Sequence, residues 1–274
     1  MSTPLVVVAL TGVFGLAVGS VLTMLIYRLP REESLLSPSS HCASCKTPLR
    51  ARHTVPVVSW LMLHGRCPFC HERVSLRYPL VELGTGLLFS AITLRFGINV
   101  QLPAYLYLAA VGVVLALIEF DVRRLPDSIV LPSYIVSVLL LMPAGAADAD
   151  WSTATRALVS MAALWLVFFV MALAYPHAVE FGDAKLAGLL GLYLGWLSWG
   201  TLLIGAFGAF VFAAFFTGTA IVGRRSSGFQ PRAGVRSGAA NAVPFAPCLV
   251  AAAVLALFVA VPITSWYGSN VVVL

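Results

Sequence analysis

Two carboxylates and four thiols carry the chemistry that is legible in this sequence. Asp121 lies in "EFDVRRLPD" and Asp183 in "EFGDAKL", each at the edge of an apolar run. Burying an ionisable group at a membrane edge is expensive, so such a group points to function by default. Two carboxyls at one site do not ionise together easily; they share a proton, leaving one acid and one base. That pair can activate a water and protonate a leaving amine, which is aspartic-protease chemistry. Plainer uses exist for each. Asp183 follows Gly182 and suits a helix start, where its oxygens accept orphan N–H groups. Asp121 suits a surface pair with Arg124, and Asp127, after Pro126, suits a turn or cap. Membrane carboxylates also suit an ion-coupled transporter, although no internal repeat is visible. Glu82, Glu119, Glu180 and Lys185 complete the set of ionisable groups near the apolar runs.

The thiols come as "CASC" (Cys42, Cys45) and "CPFC" (Cys67, Cys70). A Cys-x-x-Cys turn presents two thiolates to one ion, and two such turns complete a tetrahedral zinc site. Four thiolates leave no open coordination position, which makes the expected zinc structural. A segment of this size also needs a staple, because it is too short to fold on its own core. His41, His53, His64 and His71 share the segment, but the cysteines suffice. Cys248 lies alone in an apolar run and reads as packing. "VPVVSWLMLHGRC" reads equally as an interfacial amphipathic segment and as the segment's small core around Trp60 and Leu61.

The elements that must hold these groups are membrane helices. Of 274 residues, 60% are hydrophobic and 10% charged, where a soluble domain carries about 25% charged residues. Mean hydropathy is positive. The run from Pro4 to Tyr27 lacks a basic start and exceeds a signal peptide's apolar core, so it reads as a retained helix. Further runs span 79–97, 102–120, 128–145, 155–175, 184–197, 199–222 and 244–266, all but the short sixth near the roughly 20 residues a bilayer requires. Only "GWLSWG" divides the sixth from the seventh. The expected fold is an all-α polytopic membrane protein of about eight helices with a small zinc-binding cytoplasmic insert. Its parts are a first helix (1–27), the insert (28–78) and a seven-helix core (79–274).

Charge orients the helices. With eight spans, all of the 17 Lys and Arg except Arg95 and Arg156 fall on one side, which the positive-inside rule makes cytoplasmic. The net charge of +6 therefore reflects topology and anionic lipid. No basic face interleaved with aromatics is present to read nucleic acid. Pro126 is expected to end the third span, Gly182 to free the start of the sixth, and Arg123 and Lys185 to anchor at headgroups. Gly188, Gly191 and Gly195 recur at a spacing that lets helices approach closely.

The motifs together resemble the bacterial type IV prepilin peptidases, membrane aspartic proteases of the GxGD type. The resemblance rests on "GLAVGSVLTMLIYRLP", the two Cys pairs followed by "RVSLRYPLVELGTG", "DVRRLPD", "GDAKLAGLLGLYLG" and "VPFAPCLVAAA", in that order. It implies Asp121 and Asp183 as the catalytic pair and Cys42, Cys45, Cys67 and Cys70 as zinc ligands. It also implies cleavage of prepilin or type II secretion pseudopilin leaders after a glycine, at the cytoplasmic face of the inner membrane. N-methylation of the new terminus with S-adenosylmethionine goes with it, and Glu82 falls in the segment linked with that activity. Four positions depart from the family pattern: Thr23 for Asn, Glu119 for Asp, Glu180 for a glycine, and Ala246 for a glycine. Besides a transporter, the alternative is a non-catalytic, zinc-stapled scaffold for pilus or secretion assembly.

Overall fold

The computed structural model describes residues 4–34, 42, 44–49, 53–148, 151–175, 179–226 and 245–270, with the side chains of 146–148, 220–226 and 261–270 left aside. The described residues are helical throughout, apart from loops and isolated bridge positions such as the antiparallel pair Arg66 and Arg73. The helices are α1 (Leu5–Arg28), α2 (Val58–Met62), α3 (Arg77–Phe96), α4 (Leu102–Val122), α5 (Asp127–Asp148), α6 (Trp151–Ala174), α7 (Phe181–Leu197), α8 (Trp199–Ser226) and α9 (Phe245–Asn270). All eight expected spans are helices, and α2 lies within the insert. Six of them are long and apolar enough to cross a membrane; the apolar part of α9, Phe245–Ala260, is shorter, as is α7 with 17 residues.

The short α7 is a helix lined by protein on all sides. Every residue from Leu186 to Trp196 is buried, and a helix that is apolar all round is suited to such a position. Its end settles whether the long apolar block is one helix or two. Ser198 is extended (φ −170°, ψ 163°), and its hydroxyl accepts the Thr201 N–H at 3.0 Å. This is an N-cap for α8, so α7 and α8 are separate helices.

The chain divides into two compact units, Met1–Ile118 and Glu119–Leu274. In unit 1, α1 and α3 meet backbone to backbone. A Cβ on Gly19 would stand 2.7 Å from Glu82 Cα, and one on Gly15 would stand 2.8 Å from Gly86 Cα. Glycine is the residue that permits this approach. The α3–α4 hairpin is pinned by stacking of Phe96 on Tyr105, with centroids 4.1 Å apart, and by a 3.3 Å bond from Arg77 Nη2 to Leu117 O.

In unit 2, α7 packs closely on α6; a Cβ on Gly191 would stand 2.6 Å from Ser160 O. The far end of α7 is held by Arg156, which donates to Gly195 O at 2.8 Å and Trp196 O at 2.9 Å. Those carbonyls have no intrahelical partner, and a cation there also suits the helix dipole.

Two expectations about helix ends need correction. Pro126 does not end α4. The helix stops at Val122, and Arg123 turns the chain with φ 53°, while the Pro126 carbonyl accepts the Ile129 and Val130 N–H groups at 3.1 and 3.2 Å and so opens α5. Gly182 does not loosen α7 either. It lies within the first helical turn, where a Cβ would stand 3.1 Å from Leu125 Cβ.

Candidate active site and metal centre

In unit 2 the acidic side chains gather at three helix ends. Asp183 is 4% exposed and sits in the first turn of α7. Its Oδ2 accepts the Glu180 N–H at 3.0 Å, and the Glu180 carboxylate accepts the Asp183 N–H. This reciprocal capping box makes Glu180 the N-cap and puts Asp183 three residues inside. Glu180, standing where the family pattern has glycine, thus works as a helix start.

The last turn of α4 contributes Glu119, 7% exposed. Its two carboxylate oxygens accept the N–H groups of Phe245 at 2.9 Å and Ala246 at 2.8 Å. A carboxylate at a helix N-terminus satisfies orphan donors and meets the positive end of the dipole. The charges of Asp183 and Glu180 act on Glu119, and Cys248, buried in the first turn of α9, feels both Glu119 and Asp183. The ends of α4, α7 and α9 therefore share one acidic, buried neighbourhood.

Asp121 stands differently. It lies two residues beyond Glu119, about 200° around a helix, and it is exposed while Glu119 is buried. The structure thus turns Glu119 toward Asp183 and leaves Asp121 on the open side. Asp127 is the first residue of α5 and pairs with Lys185, Nζ to Oδ1 at 2.7 Å, so Lys185 binds a protein carboxylate where a headgroup was expected. Tyr134 on α5 adds a 2.5 Å bond to Lys185 O. The sequence did not reveal the Glu119–α9 bond, because its partners are more than 120 residues apart; the only signal was a glutamate at the end of a long apolar run.

The four cysteines of unit 1 converge, with their sulfurs all within 4.8 Å of one another. The two turns are copies. Cys42 N–H bonds Thr47 O at 3.1 Å and Lys46 N–H bonds Cys42 O at 3.0 Å; Cys67 N–H bonds Glu72 O at 2.9 Å and His71 N–H bonds Cys67 O at 3.0 Å. The fifth position of each takes a positive φ, 57° at Lys46 and 58° at His71. His71 is therefore part of a turn, and His53 packs edge-on against Phe69 at 5.9 Å. His41 lies outside the described residues.

The donor set fits a tetrahedral metal. The Cys42 and Cys70 sulfurs are 3.8 Å apart, which is the edge of a tetrahedron with metal–sulfur bonds of about 2.3 Å. Hydrogen bonds from the side chain and backbone of Thr47 hold the Cys45 thiol down at about 6. The Glu72 backbone favours the Cys70 thiolate, yet burial and the neighbouring sulfurs push that thiol up to about 12. Four adjacent sulfurs cannot all be anionic without a cation among them.

Behind the cysteine cluster, Glu82 of α3 is 8% exposed and its Oε2 accepts the Val57 N–H at 2.7 Å. Val57 has φ 60° and ψ −49°, and Val58 N–H bonds Pro56 O at 2.5 Å. This is a γ-turn of positive φ, strained for a β-branched residue by about 1–3 kcal/mol. The two uses proposed for the neighbouring segment divide between its residues. Trp60 is the core, its Nε1 on Val74 O at 3.2 Å and its ring over Gly65, while Leu61 and Met62 are exposed.

Comparison with known proteins assigns both units. The family described as bacterial Peptidase A24 N-terminal domain matches residues 13–96, and the type IV leader peptidase family matches residues 106–222. A prepilin leader peptidase/N-methyltransferase of Stutzerimonas stutzeri is 35% identical, over 71% of this chain and 75% of its own length. The chain belongs to the type IV leader peptidase family.

Another relative of the same name, from Aeromonas hydrophila, is 31% identical over 96% of this peptidase and 94% of its own length; one from Neisseria gonorrhoeae is 33% identical over 69% and 74%. No solved structure matches. Glu82 and the four cysteines fall in the first matched region, and Asp121 and Asp183 in the second. Membership does not favour the transporter or the scaffold.

Proposed function

We propose that this peptidase cleaves the leader from prepilins or type II secretion pseudopilins, after a glycine, at the cytoplasmic face of the inner membrane, and methylates the new N-terminal amine. Asp121 and Asp183 are the catalytic pair. They hold one proton and a water between them. One carboxylate takes a proton from the water as it attacks the scissile carbonyl, while the other carboxyl gives its proton to the carbonyl oxygen. The first then passes the water's proton to the leaving amine as the carbon–nitrogen bond breaks, and the tetrahedral hydroxyl returns a proton to the second. Asp121, on the open side, meets water and peptide, while Asp183 works from within the bundle. The substrate's basic leader stays in the cytosol and its apolar helix lies in the bilayer.

The four cysteines hold zinc, whose role is to fix the insert. S-adenosylmethionine supplies an electrophilic methyl group when bound, and Glu82 belongs to that half of the enzyme. The chain then divides by role into a first helix (1–27), a zinc insert (28–78) and a peptidase core (79–274).

The observation that carries the peptidase reading is the buried Asp183, held in an acidic cluster at a helix start inside an apolar bundle. Such a group is costly unless used. The test is leader cleavage of a co-expressed prepilin by Asp121→Asn and Asp183→Asn. Cleavage should fall by about 10³-fold or more in each; unchanged cleavage in both overturns the dyad.

A further inference from the structure

We propose that α2 is a membrane-surface anchor, whose apolar face enters the boundary between lipid headgroups and hydrocarbon and seats the cysteine insert on the bilayer. Val58, Leu61 and Met62 stand at helical spacing i, i+3 and i+4, on one face of α2. Each is more than half exposed, Met62 the most at 75%. Trp60 occupies the opposite side and belongs to the core of the insert, with its Nε1 on Val74 O.

The depth of α2 beside its neighbours decides what covers that face. Both α1 and α3 are long and apolar enough to cross a membrane. They run antiparallel, with Gly19 facing Glu82, Gly15 facing Gly86 and Gly12 facing Ser90. Glu82 is therefore level with a point nine residues before Arg28, where α1 ends, and it lies five residues beyond Arg77, where α3 begins. At 1.5 Å per residue these are about 13 Å and about 7 Å inside the two helix ends. The Glu82 carboxylate accepts the Val57 N–H, so α2 starts beside the first turns of α3 and below the end of α1. The 20 residues of α3 span about 30 Å, the thickness of the hydrocarbon core. A segment beside its first turns is at the edge of that core.

Near that level α3 has exposed apolar residues of its own, Leu80, Leu83 and Leu87, on the face that a span turns to lipid. Lipid is the occupant always present at this depth, and a short helix with one apolar face suits the interface, where such faces enter by about 5–10 Å. The strained turn at Val57 fits this use, because it starts α2 at the depth that Glu82 fixes. The anchor needs only the spans α1 and α3 and stands apart from the peptidase and methyltransferase chemistry.

The test uses the full-length zinc-loaded protein, one copy per lipid nanodisc. The photo-crosslinking residue p-benzoylphenylalanine is placed at Leu61 or at Met62, with Glu72, exposed in the same insert, as the polar control. Adducts formed under ultraviolet light are identified by mass spectrometry. Lipid adducts at Leu61 and Met62 should exceed those at Glu72 about tenfold, and an added prepilin should leave them unchanged. No excess over Glu72 overturns the anchor. So does replacement of the lipid adducts by adducts to the prepilin or, in discs holding two copies, to the second chain. Leu61→Asp combined with Met62→Asp, with zinc and helix content as in the parent, should speed hydrogen exchange of residues 58–63 in nanodiscs about tenfold. Unchanged exchange in that variant also overturns the anchor.

Discussion

Unit 1 and unit 2 each bury a glutamate from a long helix, and each uses it to hold the start of another helix. Glu82 takes one N–H, from the residue that opens the five-residue α2. Glu119 takes two, from the first residues of the 26-residue α9. The difference lies in what else holds the clamped element. In unit 2, α9 packs along α7 and α8, and α7 carries its own capping box. In unit 1, α1, α2 and α3 begin without a side-chain cap from their own N-cap residues, and the insert is ordered by four sulfurs, one tryptophan and one carboxylate. The insert of unit 1 therefore rests on a cysteine cluster that could hold a metal ion, where α9 of unit 2 rests on packing.

Metal removal should separate them most sharply. Structural zinc contributes about 10–16 kcal/mol to the folding of small zinc peptides, far more than any one hydrogen bond. Chelation, or Cys67→Ser with Cys70→Ser, should expose residues 53–75 to limited proteolysis while the helices of unit 2 stay resistant. Equal resistance of the insert with and without metal would break the comparison.

The next largest effect belongs to Glu119. Glu119→Ala leaves two buried N–H groups unpaired, at about 1–3 kcal/mol each, so thermal unfolding should shift clearly downward. Glu119→Gln keeps one acceptor and should fall between parent and alanine. A stable alanine variant would mean that α9 is held by packing alone. In unit 1, Glu82→Gln loses the charge on a single N–H, at about 1–2 kcal/mol. Its effect on stability should be confined to hydrogen exchange around Val57–Leu63, and loss of protection throughout α3 would show that Glu82 supports more than the insert.

These two clamps also mark how far the sequence could be read. The spans were legible because apolar runs of bilayer length have few alternative uses. The cysteine cluster was legible because both halves of each turn are local: two cysteines and the bond from the fifth residue lie within six positions. The clamps were not, because Glu119 meets Phe245 and Ala246 through tertiary packing, and no periodicity encodes a partner 126 residues away. The same limit applies to Asp121. Its spacing from Glu119 sets which side of α4 it faces, but which side is the buried one depends on where α7 and α9 lie. Pro126 was misplaced for a related reason. A proline fits a helix start as well as a helix end, and the turn was made by Arg123, a residue type with no special tendency to positive φ.

The smallest effect tests whether unit 2 needs its caps at all. Ser198 is the residue at which one apolar block becomes two helices, and its hydroxyl bonds both the Thr201 N–H at 3.0 Å and the Thr201 hydroxyl at 2.8 Å. Ser198→Ala should cost about 1 kcal/mol, as for other N-cap losses, and Ser198→Asp should restore most of it, because Asp caps as well as Ser. Thermal unfolding in the same detergent reads both. If alanine matched the parent, the break between α7 and α8 would be held by the buried face of α7 and by Arg156 at its end. The caps and clamp of unit 2 would then be secondary to its packing, and the contrast with the insert, where four sulfurs take the place of packing, would sharpen.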